Sequence, residues 1–200
     1  MLPNGKTLSP LLPADAAAAV EATVGSAGFT SETIEPLKPW AAFVLLSSRI
    51  EADTNTETVD AAILREARGR GRQIRYFETV EDQLRRLTGM RQELQLEILS
   101  GLIIDFERQR ADARAGFEAW RTGDLDAVDA HLNQPLREAS PAAYQMLMTD
   151  RIGALAGAIE TALKAPETSF MSLNAGYLAG PGSLPEVLAA RGLRVERVSE

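Results

Sequence analysis

The sequence predicts an α/β protein, rich in helix, with a small mixed sheet of about three strands and a large helical insertion over roughly residues 80–165. Three observations predict it. The stretch from Thr168 to Val198 reads as strand, glycine loop, helix, strand. A second β-rich run, Gln73–Phe77, leads into a capped helix. Between them, apolar residues recur at helical spacing from Met90 to Ile159. The order β, many α, β, α, β fits a single domain spanning residues 1–200.

Taken in order, Pro13 to Val24 forms an alanine-rich helix that Gly25 and Gly28 end. Pro36 and Pro39 bracket the turn into KPWAAFVLLSSRIEA, whose spacing places Trp40, Phe43, Val44, Ser47 and Ile50 on one face, the expected core face. Asp53 to Thr58 is polar and loop-like. Val59, Ala62, Ile63, Glu66 and Ala67 then follow helical spacing, closed by Gly69 and Gly71. Ile74, Tyr76 and Phe77 favour a strand with Glu78 at its tip, and Thr79 with Asp82 supplies the next helix start.

From Met90 to Arg121 the pattern is helical throughout, with Met90, Leu94, Ile98, Leu102 and Phe106 forming a stripe that Leu99 and Ile103 widen. Such a helix spans ~45 Å at ~1.5 Å per residue, with Gly101 or Gly116 as places to bend. Gly123 stops it and Asp124 caps a shorter one. Ser140-Pro141 opens the next, which runs through Tyr144, Leu147, Met148, Ile152, Leu155 and Ile159 to Lys164. Phe170, Met171 and Leu173 make the second strand. Gly176, Gly180 and Gly182 give the following loop its tight turns, Ser183 and Glu186 form a capping box with Pro185 in the first turn, and Leu193, Val195 and Val198 end the chain as the third strand.

Composition narrows the function. A net charge of −7 and a pI near 4.9 disfavour a phosphate backbone as partner, and the arginines at 65, 68, 70, 72 and 75 stand among acidic residues. No nucleic acid is therefore expected. The chain has no cysteine, which excludes disulfides, thiolate metal sites and cysteine nucleophiles. Its best apolar run, Trp40 to Leu46, is far short of the ~20 residues a membrane span needs. The prolines of MLPNGKTLSPLLPAD interrupt any signal-peptide core. With His131 the single histidine, and set mid-helix, neither a histidine-rich zinc site nor a Ser-His-Asp triad is well equipped.

Two features remain as site candidates. The loop AGYLAGPG opens a helix at the end of a strand, where α/β folds place ligands, although its G-x-x-x-G-x-G spacing matches neither a P-loop nor a dinucleotide fingerprint. A tight strand-to-helix turn explains it as well. Glu78 is the best-placed carboxylate; Asp60 and Arg151 read as surface ion-pair residues.

LKPWAAFVLLS, VDAAILREARGRGRQIRYFETVEDQL, FEAWRTGDLDAV, DRIGALAGAIETAL and SFMSLNAGYLAGPGSLPEVLAARGLRVERV, in this order and spacing, make the chain similar to the TraB/GumN family, to which the Tiki metalloproteases are related. The resemblance implies an α/β fold with a helical insert and, in active members, a metal-assisted hydrolytic site built from two G-x-x-H motifs and strand-end glutamates. By that resemblance the second motif falls on Gly176 with Tyr177 in the histidine position, the glutamate is kept as Glu78, an aspartate as Asp60, and an Arg-Asn pair survives as Arg151 followed by Ile152. The first G-x-x-H and its strand have no counterpart, so the chain reads as an N-terminally truncated or degenerate member lacking the family's first strands.

A phenol with a pKa near 10 is a poor metal ligand at neutral pH beside imidazole. The expectation is accordingly a catalytically inactive or incomplete protein, with Glu78, Arg151 and Tyr177 vestigial, no cofactor, and a ligand- or partner-binding role at the loop of Gly176, Gly180 and Gly182. The alternative is a metal-dependent hydrolase or peptidase, using a divalent metal and completed by an upstream segment or second chain. A helical interaction module with an exposed apolar face is a third reading. Missing strands would leave a sheet edge unpaired, favouring a homodimer or a partner chain there. Export to the periplasm or cell envelope would need a signal that this sequence does not display.

Overall fold

The computed structural model describes residues 1–50 and 57–198. Among the described residues every regular element is a helix and there is no strand. This corrects the α/β expectation and, with it, the mixed sheet. Gln73–Phe77, Thr168–Leu173 and Leu193–Val198 carry β-forming side chains, yet no backbone ladder joins any of them to another segment. β-propensity measures fit to a half-buried pleated surface, and a strand without a neighbour has none. These segments lie open to water instead: Tyr76, Phe170 and Val198 are among the most exposed apolar residues of the chain. With no strand among the described residues there is also no sheet edge, so pairing at such an edge is withdrawn as a route to a homodimer or partner.

The chain divides into two compact units, Met1–Arg114 and Ala115–Glu200. In the first, α1 (Ala14–Ser26), α2 (Ser31–Ile34), α3 (Pro39–Ser47) and α6 (Gln92–Ile104) enclose one apolar core. Leu8, Val24, Ile34, Leu46, Leu99, Leu102 and Ile103 are its largest fully buried side chains. Helices α4 (Val59–Gly69) and α5 (Val80–Thr88) complete the unit without burying a single residue. The expected polar loop falls, up to Thr56, outside the described residues, as do the last two positions of KPWAAFVLLSSRIEA.

The inward face of this segment only partly matches its spacing: Phe43 and Ile50 pack against the core as expected. Ala42 and Leu46 are buried whereas Val44 is exposed. Nearly every residue of PWAAFVLL is apolar, so the pattern itself cannot choose a face.

The long helix is broken at Asp105 rather than bent at a glycine, giving α6 and α7 (Phe106–Thr122). Side chains meet carbonyls at the break: Thr23 Oγ1 donates to Ile103 O at 2.8 Å, and Gln109 Nε2 donates at 3.2 Å to Gly101 O, which also accepts from Asp105 N at 3.1 Å.

The second unit is built from two helical rods and a loop. The first rod joins α8 (Leu125–Val128), a π-helical turn at Asp129–Asn133 and α9 (Gln134–Ala139). The second joins α10 (Pro141–Tyr144), a π-helical turn at Gln145–Thr149 and α11 (Asp150–Ala162). Asp124 and Ser140 cap them as their positions predict, accepting from Ala127 N at 3.0 Å and Ala143 N at 3.2 Å. A 3₁₀ turn at Ala175–Leu178 and α12 (Leu184–Ala190) follow. Ile152, Leu155, Ala156, Tyr177 and Leu184 form the core between them.

Candidate functional site

The loop at 174–183 is the feature around which the second unit closes. Asn174 begins it, its Oδ1 accepting from Gly176 N at 2.8 Å, which turns the chain into the 3₁₀ segment. The π-helical turn then holds the loop from outside. Asn133, 2 % exposed, donates through Nδ2 to Gly176 O at 2.8 Å and to Ala179 O at 3.1 Å. One buried amide thus satisfies two loop carbonyls that would otherwise be costly to desolvate.

The three loop glycines have separate tasks. A Cβ on Gly176 would stand 2.8 Å from Asn133 Oδ1, so the Asn133 clamp needs its absence. At Gly180, with φ of +78°, a Cβ would come within 2.0 Å of Asp129 Oδ1. Gly182 has φ of +71° and open space around it, so there only the backbone angle asks for glycine. The expected capping box after it is shifted: Ser183 makes no side-chain cap, and Glu186 Oε2 accepts from Gly182 N at 2.9 Å.

Asp129 is in turn fixed by Arg137. The two form a bidentate fork, Nη1 to Oδ1 at 3.0 Å and Nη2 to Oδ2 at 2.7 Å, and the Arg137 guanidinium also lies 5.3 Å from the centre of the Tyr144 ring. Hydrogen bonding from Arg137 holds the Asp129 carboxyl below the usual carboxylate range, with a further contribution from Asn133. Asp129, Asn133 and Arg137 escaped the sequence reading. Their spacing of four and four along one helix face was the available signal.

Because the folded state lowers the Asp129 pKa, the pair's stabilisation is complete above the unfolded value near 3.9 and disappears as pH falls through the folded one. Urea unfolding followed by circular dichroism from pH 6 to 2 is expected to show an acid-side loss of stability below about pH 5 that Asp129→Asn makes shallower. An unchanged slope in that variant would remove the pair from this account.

Of the positions singled out in sequence, Arg151 and Tyr177 are brought together: the guanidinium carbon lies 5.4 Å from the centre of the Tyr177 ring. Tyr177 is 6 % and Ile152 4 % exposed, and both belong to the core beneath the loop. Glu78 is a residue of the first unit. It sits in the bend before α5, not at a strand tip, and forms a partly buried ion pair with Arg86. Asp60 lies exposed in the first turn of α4. His131 is half-buried in the π-helical turn.

The sequence profile of the TraB/PrgY/gumN family matches residues 1–197. The chain belongs to that family. A match over nearly the full chain withdraws the reading of it as an N-terminally truncated member. No curated protein and no solved structure matches it.

The metal that the TraB/GumN resemblance implies does not fit the residues present. Tyr177 turns its ring into the core and under a cation, and the Glu78 carboxylate is shared with Arg86. Among the described residues no three His, Cys, Asp or Glu side chains group so as to hold a metal ion. Asn133, Asp129 and the Arg151–Tyr177 stack fix the loop from several directions, leaving Leu178, Pro181 and Gly182 at its exposed side.

Proposed function

We propose that this TraB/PrgY/gumN-family chain is a non-hydrolytic member whose rigid loop at 174–183 presents a ligand- or partner-binding surface. The reading rests on one observation. The positions that the resemblance gives to a metal-binding histidine and to an asparagine, Tyr177 and Ile152, are buried together in the same apolar core. A side chain that packs against Leu155, Ala156 and Leu184 has been committed to stability rather than to ligation.

The hydrolase alternative requires two costly changes. Glu78 would have to leave Arg86, and Tyr177 would have to leave the core and the face of Arg151. Neither ion pairs nor buried aromatics give way without compensation. No cofactor is needed for the binding role.

The purified chain, assayed on peptide and ester substrates with Zn²⁺, Mn²⁺ or Co²⁺ added, is expected to give no turnover above buffer. Metal-dependent turnover abolished by Glu78→Gln would reverse the reading in favour of the hydrolase.

A further inference from the structure

The first unit holds a group of residues that neither its core nor the loop of the second unit uses. No residue of α4 or α5 is buried, and five large apolar side chains along them and their connection are open to solvent: Val59, Tyr76, Phe77, Val80 and Leu84. Short helices are marginal in water on propensity alone and gain most of their stability by covering an apolar face.

The same segment concentrates positive charge. Residues 65–75 carry five arginines against the single Glu66, a net +4 within a chain of −7, with the acidic residues Glu57, Asp60, Glu78, Glu81 and Asp82 flanking them on either side. Glu57 engages Arg65 and Glu66 engages Arg70, but Arg68, Arg72 and Arg75 meet no carboxylate among the described residues. Arg68 instead leans on the Tyr76 hydroxyl at 3.4 Å, and Arg75 on Gln73 Oε1 at 3.1 Å.

We propose that the connection between α4 and α5, with the apolar row of α5, docks on an anionic lipid surface. Val80, Leu84 and Leu87 recur at i, i+4 and i+7 on a helix whose other positions are charged or polar, the pattern of a helix that lies in a membrane interface. Tyr76 and Phe77 precede it, and aromatic rings favour the headgroup boundary. Arg68, Arg72 and Arg75 supply the charge that acidic headgroups complement over a Debye length of ~8–10 Å, and acidic residues of the chain farther away than that are largely screened.

Five exposed apolar side chains are few for a stable protein interface, which takes ~20–30 residues a side. They are enough for a peripheral, charge-assisted contact with lipid. No helix among the described residues is long and apolar enough to cross a membrane, so the contact stays at the surface. This proposal does not depend on the non-hydrolytic reading of the second unit.

Co-sedimentation of the full chain with vesicles tests it. Binding is expected to phosphatidylcholine–phosphatidylglycerol vesicles and not to phosphatidylcholine alone, and to weaken with salt. Combining Arg68→Gln, Arg72→Gln and Arg75→Gln should weaken it on the order of a hundredfold, about fivefold per arginine. Val80→Cys, the only thiol in the chain, should show a blue shift when it carries a polarity-sensitive fluorophore and meets anionic vesicles. No binding to anionic vesicles, equal binding to neutral ones, or an unaffected triple variant would overturn the proposal. So would a dimer in sedimentation equilibrium that Tyr76→Ser dissociates, which would make a second copy the occupant.

Discussion

Tyr177→Ala is expected to destabilise the second unit by about 3–5 kcal/mol, the range for emptying a buried aromatic site. Tyr177 is 6 % exposed, packs with Ile152, Leu155, Ala156 and Leu184, and lies beneath the Arg151 guanidinium. Removing the ring leaves a cavity in this small core and takes away the surface on which Arg151 rests. Tyr177→Phe keeps both the ring and its packing, so its cost should stay near ~1 kcal/mol, the worth of an ordinary hydrogen bond. Urea unfolding of the two variants measures the difference directly. Equal, negligible losses would mean that the ring is not part of the core, and the structural reading of this position would fail.

Gly180→Ala is expected to cost about 2–5 kcal/mol. Part is the left-handed backbone, at φ of +78°, which costs a residue with a Cβ ~1–2 kcal/mol. The larger part is displacement: the new carbon would stand 2.0 Å from Asp129 Oδ1, and the carboxylate can retreat only by leaving its fork with Arg137. That pair is partly exposed, so its loss lies below the range for a fully buried one. Gly182→Ala is the control. Its backbone angle is similar, at φ of +71°, but its Cβ meets nothing within 4 Å, so only the ~1–2 kcal/mol of strain should appear. A second readout separates the two: Gly180→Ala should also flatten the acid-side slope that Asp129 produces, whereas Gly182→Ala should leave it intact. Equal effects of the two substitutions would show that the loop glycines serve the backbone alone.

The three loop glycines were legible in the sequence as a group, but not their division of labour. Gly176 is held by Asn133, a residue 43 positions earlier, and Ala179 is held by the same amide across 46. Nothing local in AGYLAGPG announces a clamp from so far along the chain. Signals confined to one helical turn fared better. Thr79 with Asp82, Asp124 and Ser140 each make the cap their position suggests, because a cap needs only residues three apart.

Strands depend on what lies beside them, and there the reading failed. QIRYF and SFMSL have the composition of strands, yet composition cannot supply the neighbour that completes a ladder. The face of α3 was only partly legible for the opposite reason: Phe43 packs on the core and Val44 does not, because too many apolar residues leave no contrast. The position of Glu78 as a notable carboxylate was legible, but its partner Arg86 was not, since the two are eight residues apart and meet only because the bend before α5 turns Glu78 back on that helix.

The central question is whether the positions that the resemblance gives to a metal site carry structure in this chain. Bound metal per chain decides it, measured by mass spectrometry after incubation with excess Zn²⁺ or Mn²⁺ and exhaustive dialysis. The expected result is far less than one equivalent, unchanged by Glu78→Gln or Tyr177→Phe. One equivalent retained through dialysis and lost in either variant would contradict it.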